Sequence, residues 1–198
     1  MFGAVSAMPT VASPLGGVAF DSTAGDQLER EQSAYLRQMP DFTLAFWWCP
    51  SGLAGGHAAA IRGISQTSVS LGYSTESDPL KLLVGDGGEV EVADHVEGDW
   101  YLLAWRADSA ALTQKITLTR LRDGAVFEGQ CGEGVGVLNG EADYFFEGML
   151  AAVCFGSSWH WSVLGRGYYD RMGIWNRALT EDNLADLFNL GLGWMPGS

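Results

Sequence analysis

Between Asp41 and Pro50 the chain reads DFTLAFWWCP, and apolar residues occupy both phases of a two-residue period. Phe42, Leu44, Phe46 and Trp48 share one parity, and Thr43, Ala45 and Trp47 share the other. Alternation with period two predicts a strand. Apolar side chains on both faces predict an inner strand covered on two sides. Weaker forms of the same pattern predict strands over 18–21 (VAFD), 80–84, 89–93, 99–107, 115–121, 125–128, 149–156 and 167–176, with a hairpin across 58–74. GDGG at 85–88 and Asp123-Gly124 supply the turns between neighbouring runs. Only TEDNLADLFNLG (180–191) has helical periodicity. There Thr180 caps, Glu181 and Asp182 sit at the positive end, Leu184, Leu187 and Phe188 form one stripe, and Gly191 terminates. Many short strands at roughly 8–12-residue spacing predict a sandwich or jelly roll. The expected fold is all-β: two antiparallel sheets with one short C-terminal helix covering an end. Residues 1–16, rich in small residues and broken by Pro9 and Pro14, are expected to form an N-terminal arm, with one domain over 17–198.

Composition adds a compartment and narrows the partners. Hydrophobic residues make up 47% of the chain and charged residues 18%, enough apolar material for a sizeable core. The net charge of -13 repels polyanions, so nucleic acid is not an expected partner. Three cysteines without C-x-x-C spacing argue against a disulfide framework and a zinc site. Cys49 and Cys154 lie inside apolar runs, where a free thiol behaves as a small hydrophobe, so a reducing compartment of synthesis is expected. The first 17 residues lack a basic stretch and do not read as a signal peptide, and no apolar run reaches the ~20 residues of a membrane span.

The end of the chain carries a resemblance. MGIWNRALTEDNLADLFNLG (172–191) is similar to the closing signature of the laminin-G-like, concanavalin A-like jelly rolls, a last strand followed by a short helix. GGVAFDSTAGDQLE (16–29) resembles that family's opening segment, FTLAFWWCP its inner strand, and GDWYLLAWRAD a later one. The Gly that usually follows the first Asp is Ser22 here, and the usual Asp-Glu before the last strand is Asp170-Arg171. The resemblance implies the jelly-roll fold over residues 16–195. It also implies a Ca²⁺ site near the first and last strands, for which Asp21, Asp26 and Asp170 are the matching residues. Beside it, the residues themselves predict Ile174 and Leu179 as core. Asn176 and Arg177 are expected at the strand-to-helix corner, the arginine buried and paired with a carboxylate.

Two further stretches bear on function. EADYFFE places Glu141, Asp143 and Glu147 on one parity, a pattern that resembles the E-x-D-x-x-E of glucanases. Glu141 and Glu147 would stand about 20 Å apart on an extended strand, far beyond the roughly 5–5.5 Å of a retaining pair. No Ser-His-Asp set or metal-binding His cluster is present, so no enzyme is expected. SSWHWSVLGRG (157–167) carries Trp159, His160 and Trp161, candidate ligand-binding residues because aromatic faces stack on sugars and anchor protein interfaces. His57 and His95 read as isolated loop residues. The expectation is a non-catalytic binding or structural protein, most concretely a phage virion surface component (decoration, fibre or attachment). Its partners would be other subunits of the assembly and host glycans, with no nucleic acid and no membrane insertion. It would be made in the host cytoplasm without a signal peptide. The alternatives are an extracellular lectin-like carbohydrate-binding module and, last, a glucanase.

Overall fold

The computed structural model describes residues 9–23, 28–33, 41–51, 56–62, 68–74, 80–84, 88–108, 110–111, 113–131, 151–155 and 167–193. Two antiparallel sheets face each other. The first contains, in spatial order, β1 (Thr10–Ala12), β2 (Val18–Asp21), β13 (Gly167–Trp175), β4 (Phe42–Pro50), β9 (Tyr101–Asp108), β10 (Thr113–Arg120) and β11 (Val126–Cys131). The second contains β3 (Leu28–Ser33), β12 (Ala151–Phe155), β5 (Gly56–Arg62), β6 (Ser68–Ser74), β7 (Leu80–Val84) and β8 (Gly88–Val92). The one helix among the described residues, α1 (Glu181–Gly193), follows β13. This is the all-β sandwich with a C-terminal helix that the periodicity predicts.

β4 shows why both of its faces are apolar. Phe42, Leu44, Phe46 and Trp48 point into the core between the sheets, with Tyr101, Leu103, Trp105 and Ala107 of β9 beside them and Leu80, Leu82, Val90 and Val92 of the second sheet opposite. The other face of β4 meets α1. Leu179 and Leu184 rest on Ala45 and Ala104, which stand directly across the ladder from one another. Leu187 and Phe188 cover Trp47 and Leu102 together with Leu15, and the Trp47 and Phe188 rings lie 5.3 Å apart. The stripe read from the sequence is thus the stripe that packs. At the far edge the sheets close tightly: a Cβ on Gly129 of β11 would fall 2.4 Å from the Glu89 carbonyl of β8.

Both ends of α1 are tied to the sheet. At its start, the Asn183 amide donates to Thr180 Oγ1 at 3.3 Å and the Thr180 amide donates back to Asn183 Oδ1 at 3.4 Å, a reciprocal cap. Buried Arg106 of β9 donates to the Leu179 carbonyl (3.0 Å), Thr117 Oγ1 (2.9 Å) and Glu181 Oε1 (2.8 Å). At the other end Arg171 donates to the carbonyls of Gly191 and Leu15. That cation serves the negative end of a helix whose own last turn contains no basic residue. Arg171 holds a left-handed backbone (φ 48°) inside a bulge of β13. Such a conformation is uncommon for a side chain with a Cβ.

Several expectations change. Part of the stretch expected as an arm is edge strand β1, paired with β2 through Thr10↔Phe20 and Ala12↔Val18, and Leu15 beyond it is buried. β3 gives no periodic signal because LEREQS holds one apolar residue in six; the ladder of β12 recruits it. Gly191 does not terminate α1, which runs to Gly193. Its requirement is close approach, since a Cβ there would lie 2.6 Å from Trp47 Nε1. Asn176 and Arg177 are exposed, not buried. The corner is held through backbone, and the buried, carboxylate-paired arginine is Arg106. Ile174 packs against the main core, and Leu179 is buried beneath α1, as expected.

Candidate functional site

One end of the sandwich gathers the C-terminal ends of β2, β4 and β10 and the N-terminal ends of β9 and β13. On the outer face of the first sheet, adjacent strands there present a row of side chains. Tyr168 pairs with Cys49 on one side and with Asp21 on the other, and Trp100 lies beyond Cys49, one step past the Trp48↔Tyr101 pair. The rings of Trp100 and Tyr168 are nearly parallel, at 23°, with centroids 6.4 Å apart. They lean toward each other across Cys49, which is buried. Burial pushes the Cys49 thiol up to about 12, with the negative charges of Asp99 and Glu97 adding to it. Trp100, Tyr168, Asp21 and Asp170 are all half-buried, presented to solvent along one flank.

The connection that presents Trp100 (93–100) is held from beneath. Buried Arg120 makes paired bonds to Asp94 (2.7 and 2.9 Å) and to Asp123 (2.9 and 2.7 Å). These bonds hold Asp94 below the usual carboxylate range and bring Asp123 down to about 2. Tyr101 Oη meets His95 Nδ1 at 2.9 Å and donates to Asp99 Oδ2 at 3.3 Å, and the same Asp99 oxygen accepts the Val96 amide at 3.1 Å. Burial and Asp99 push the Tyr101 phenol up, so it stays a neutral donor. The Leu121 amide fixes the Trp100 carbonyl at 2.8 Å. Trp100 is therefore carried on a braced connection, which favours preorganised contact.

The residues expected to hold calcium divide. Asp21 and Asp170 both lie on this outer face, on neighbouring strands, two register steps apart. Asp21 Oδ1 accepts the amide (2.8 Å) and hydroxyl (2.6 Å) of Thr23, and Asp170 Oδ2 accepts the Ser13 hydroxyl at 2.6 Å. Asp26 lies outside the described residues. Among the described residues no group of three or more His, Cys, Asp or Glu gathers as a metal site. Two carboxylates supply at most four of the six to eight oxygens that Ca²⁺ takes.

Trp159, His160 and Trp161, the expected ligand-binding residues, lie outside the described residues, as do Glu141, Asp143 and Glu147. His57 falls within β5 and not in a loop; His95 is in a loop as expected, but is engaged by Tyr101. Sequence reasoning missed Trp100 and Tyr168. The available signal was parity: each precedes a core tyrosine, Tyr101 or Tyr169, and so faces outward. A concavity of about 120 Å³ lies between β13 and the last turns of α1, lined by Trp47, Leu102, Arg171, Trp175, Leu187 and Leu190 among others. No helix among the described residues is long and apolar enough to cross a membrane.

No protein-family model matches the chain, and no curated protein sequence matches it. Solved structures do. The chain is similar to full-length tailspike protein 2 of an Escherichia coli O157:H7 bacteriophage, with a TM-score of 0.67 and 17% identity, covering 94% of this chain and 27% of that one. It is similar to a heptameric SAP-like pentraxin from Limulus polyphemus (TM-score 0.60, 12% identity, 91% of this chain and 79% of that one). It is also similar to domain 4 of AbnA, an extracellular arabinanase from Geobacillus stearothermophilus, in complex with arabinotriose (TM-score 0.60, 18% identity, 92% and 81%). The chain spans little more than a quarter of the length of the tailspike. These likenesses place the fold among the jelly-roll β-sandwiches.

Proposed function

We propose that this chain is a non-catalytic, glycan-contacting jelly roll of the laminin-G-like type, working as a surface component of a phage virion: a decoration, fibre or attachment protein. The observation that carries the glycan part is the Trp100–Tyr168 ring pair, braced on the outer face beside Asp21 and Asp170. Flat aromatic faces stack on the C–H faces of sugar rings, and carboxylates accept from sugar hydroxyls. That is the chemistry of contact. The virion part is supported by the likeness to a phage tailspike. Its partners would be further subunits of the assembly.

A glycan array probed with wild type and with Trp100→Ala and Tyr168→Ala tests the reading. Binding by wild type that both variants lose is the expected result; binding that both retain moves the contact elsewhere. Incubation with polysaccharide, followed by reducing-end measurement, is expected to show no turnover. A second reading, an extracellular carbohydrate-binding module, is favoured by the likeness to an arabinanase domain of comparable length held in complex with arabinotriose. Recovery of the protein in purified virions separates the two.

A further inference from the structure

We propose that the outer face at this end of the sandwich selects sugars bearing a free, protonated amine. The inference rests on the glycan-contacting reading and names the ligand class for the same face. Its basis is how the two outward carboxylates are held beside the two rings. Trp100, Tyr168 and Asp21 follow one another across the strands, and Asp170 stands diagonally from Asp21, about 7–8 Å away by ladder geometry.

Ser13 and Thr23 each donate a hydroxyl hydrogen to one oxygen of their carboxylate. Both side chains are thereby oriented, and Asp21 Oδ2 and Asp170 Oδ1 accept no hydrogen bond among the described residues. An ionised carboxylate is acceptor-only, and an ammonium offers three donors. The neighbouring ring faces attract a cation as well. A uronic or sialic acid would bring a like charge to the two aspartates. Among the described residues the guanidiniums at this end have partners: Arg120 and Arg122 are paired with Asp94, Asp99 and Asp123, and Arg171 donates to the Leu15 and Gly191 carbonyls. A neutral sugar would gain the stacking and the hydroxyl bonds but not the charge term, so the amine is what discriminates.

The test is titration of the full chain, with EDTA present, by a fully deacetylated chitosan tetrasaccharide and by its N-acetylated counterpart, below the pH at which the amines lose their protons. The expected result is roughly tenfold tighter binding of the deacetylated sugar, the size of one partly desolvated cation contact. The preference should vanish above the amine titration and in the Asp21→Asn, Asp170→Asn double variant, in which the two sugars bind equally. Equal binding of the two sugars overturns the inference and leaves the glycan reading standing. A preference that survives the double variant overturns the assignment to these residues. Binding of neither sugar by a folded wild type overturns the inference, and a glycan array that is also blank overturns the reading beneath it.

Discussion

Thr43 and Leu179 meet across the strand-to-helix corner: the Leu179 amide donates to Thr43 Oγ1 at 2.8 Å, and that hydroxyl donates onward to the Arg177 carbonyl at 2.8 Å. One side chain of β4 thus satisfies a donor and an acceptor of the segment that launches α1. Replacing Thr43 by the isosteric valine leaves both backbone groups without their partner, at a cost of about 2 kcal/mol. Urea denaturation should show a lower midpoint with an unchanged slope; an unchanged midpoint would remove this corner from the stability of the fold.

Gly191 is required by Trp47. An added Cβ would lie 2.6–2.8 Å from three atoms of the indole, so the helix or the ring must shift. Gly191→Ala should therefore destabilise by about 1–3 kcal/mol, in spite of alanine's better helix propensity. The opposite sign, a gain in melting temperature, would show that the helix end yields freely.

Cys49 reports on the ring pair above it. Its thiol is pushed up to about 12 by burial, so at neutral pH it is a poor nucleophile. Native protein treated with iodoacetamide should leave Cys49 unmodified in peptide maps, and Trp100→Ala should expose it to alkylation. Equal modification in wild type and variant would contradict the roof of Trp100 and Tyr168.

The brace under residues 93–100 is sensitive to acid. Arg120 holds the Asp123 carboxyl at about 2, below its ordinary value of 3.8. A carboxyl lowered in the folded state contributes stability that is fully present above the unfolded value and is lost as pH falls through the folded one. The melting temperature of wild type should therefore fall between about pH 4 and pH 2, and Asp123→Asn should flatten that part of the profile. Parallel profiles for the two proteins would assign the acid sensitivity to other groups.

Legibility followed side-chain periodicity. The two apolar phases of β4 announced a strand covered on both faces, and Leu184, Leu187 and Phe188 announced the apolar stripe of the helix; the helix, expected over an end of the sandwich, lies instead on the outer face of the first sheet. β3 stayed hidden because its pairing with β12 depends on neighbours far away in the chain, not on its own pattern. The arginine roles were exchanged for a similar reason. Arg177 stands in the signature, but its carbonyl does the holding; Arg106, at the end of an apolar strand, carries the buried charge that fastens the helix. The site was half visible. Asp21 and Asp170 were read from their places near the first and last strands, and register brings them to one face. Trp100 and Tyr168 look like core residues until the phase of the tyrosine after each is known.

Arg171 reaches Leu15 and Gly191 at once, so two segments from opposite ends of the described chain meet at one guanidinium. The order in which the strands are threaded is therefore separable from the shape they make. A circularly permuted gene, with a linker joining the two segments that Arg171 ties together and new termini opened in a distant surface turn, should still yield the same sandwich.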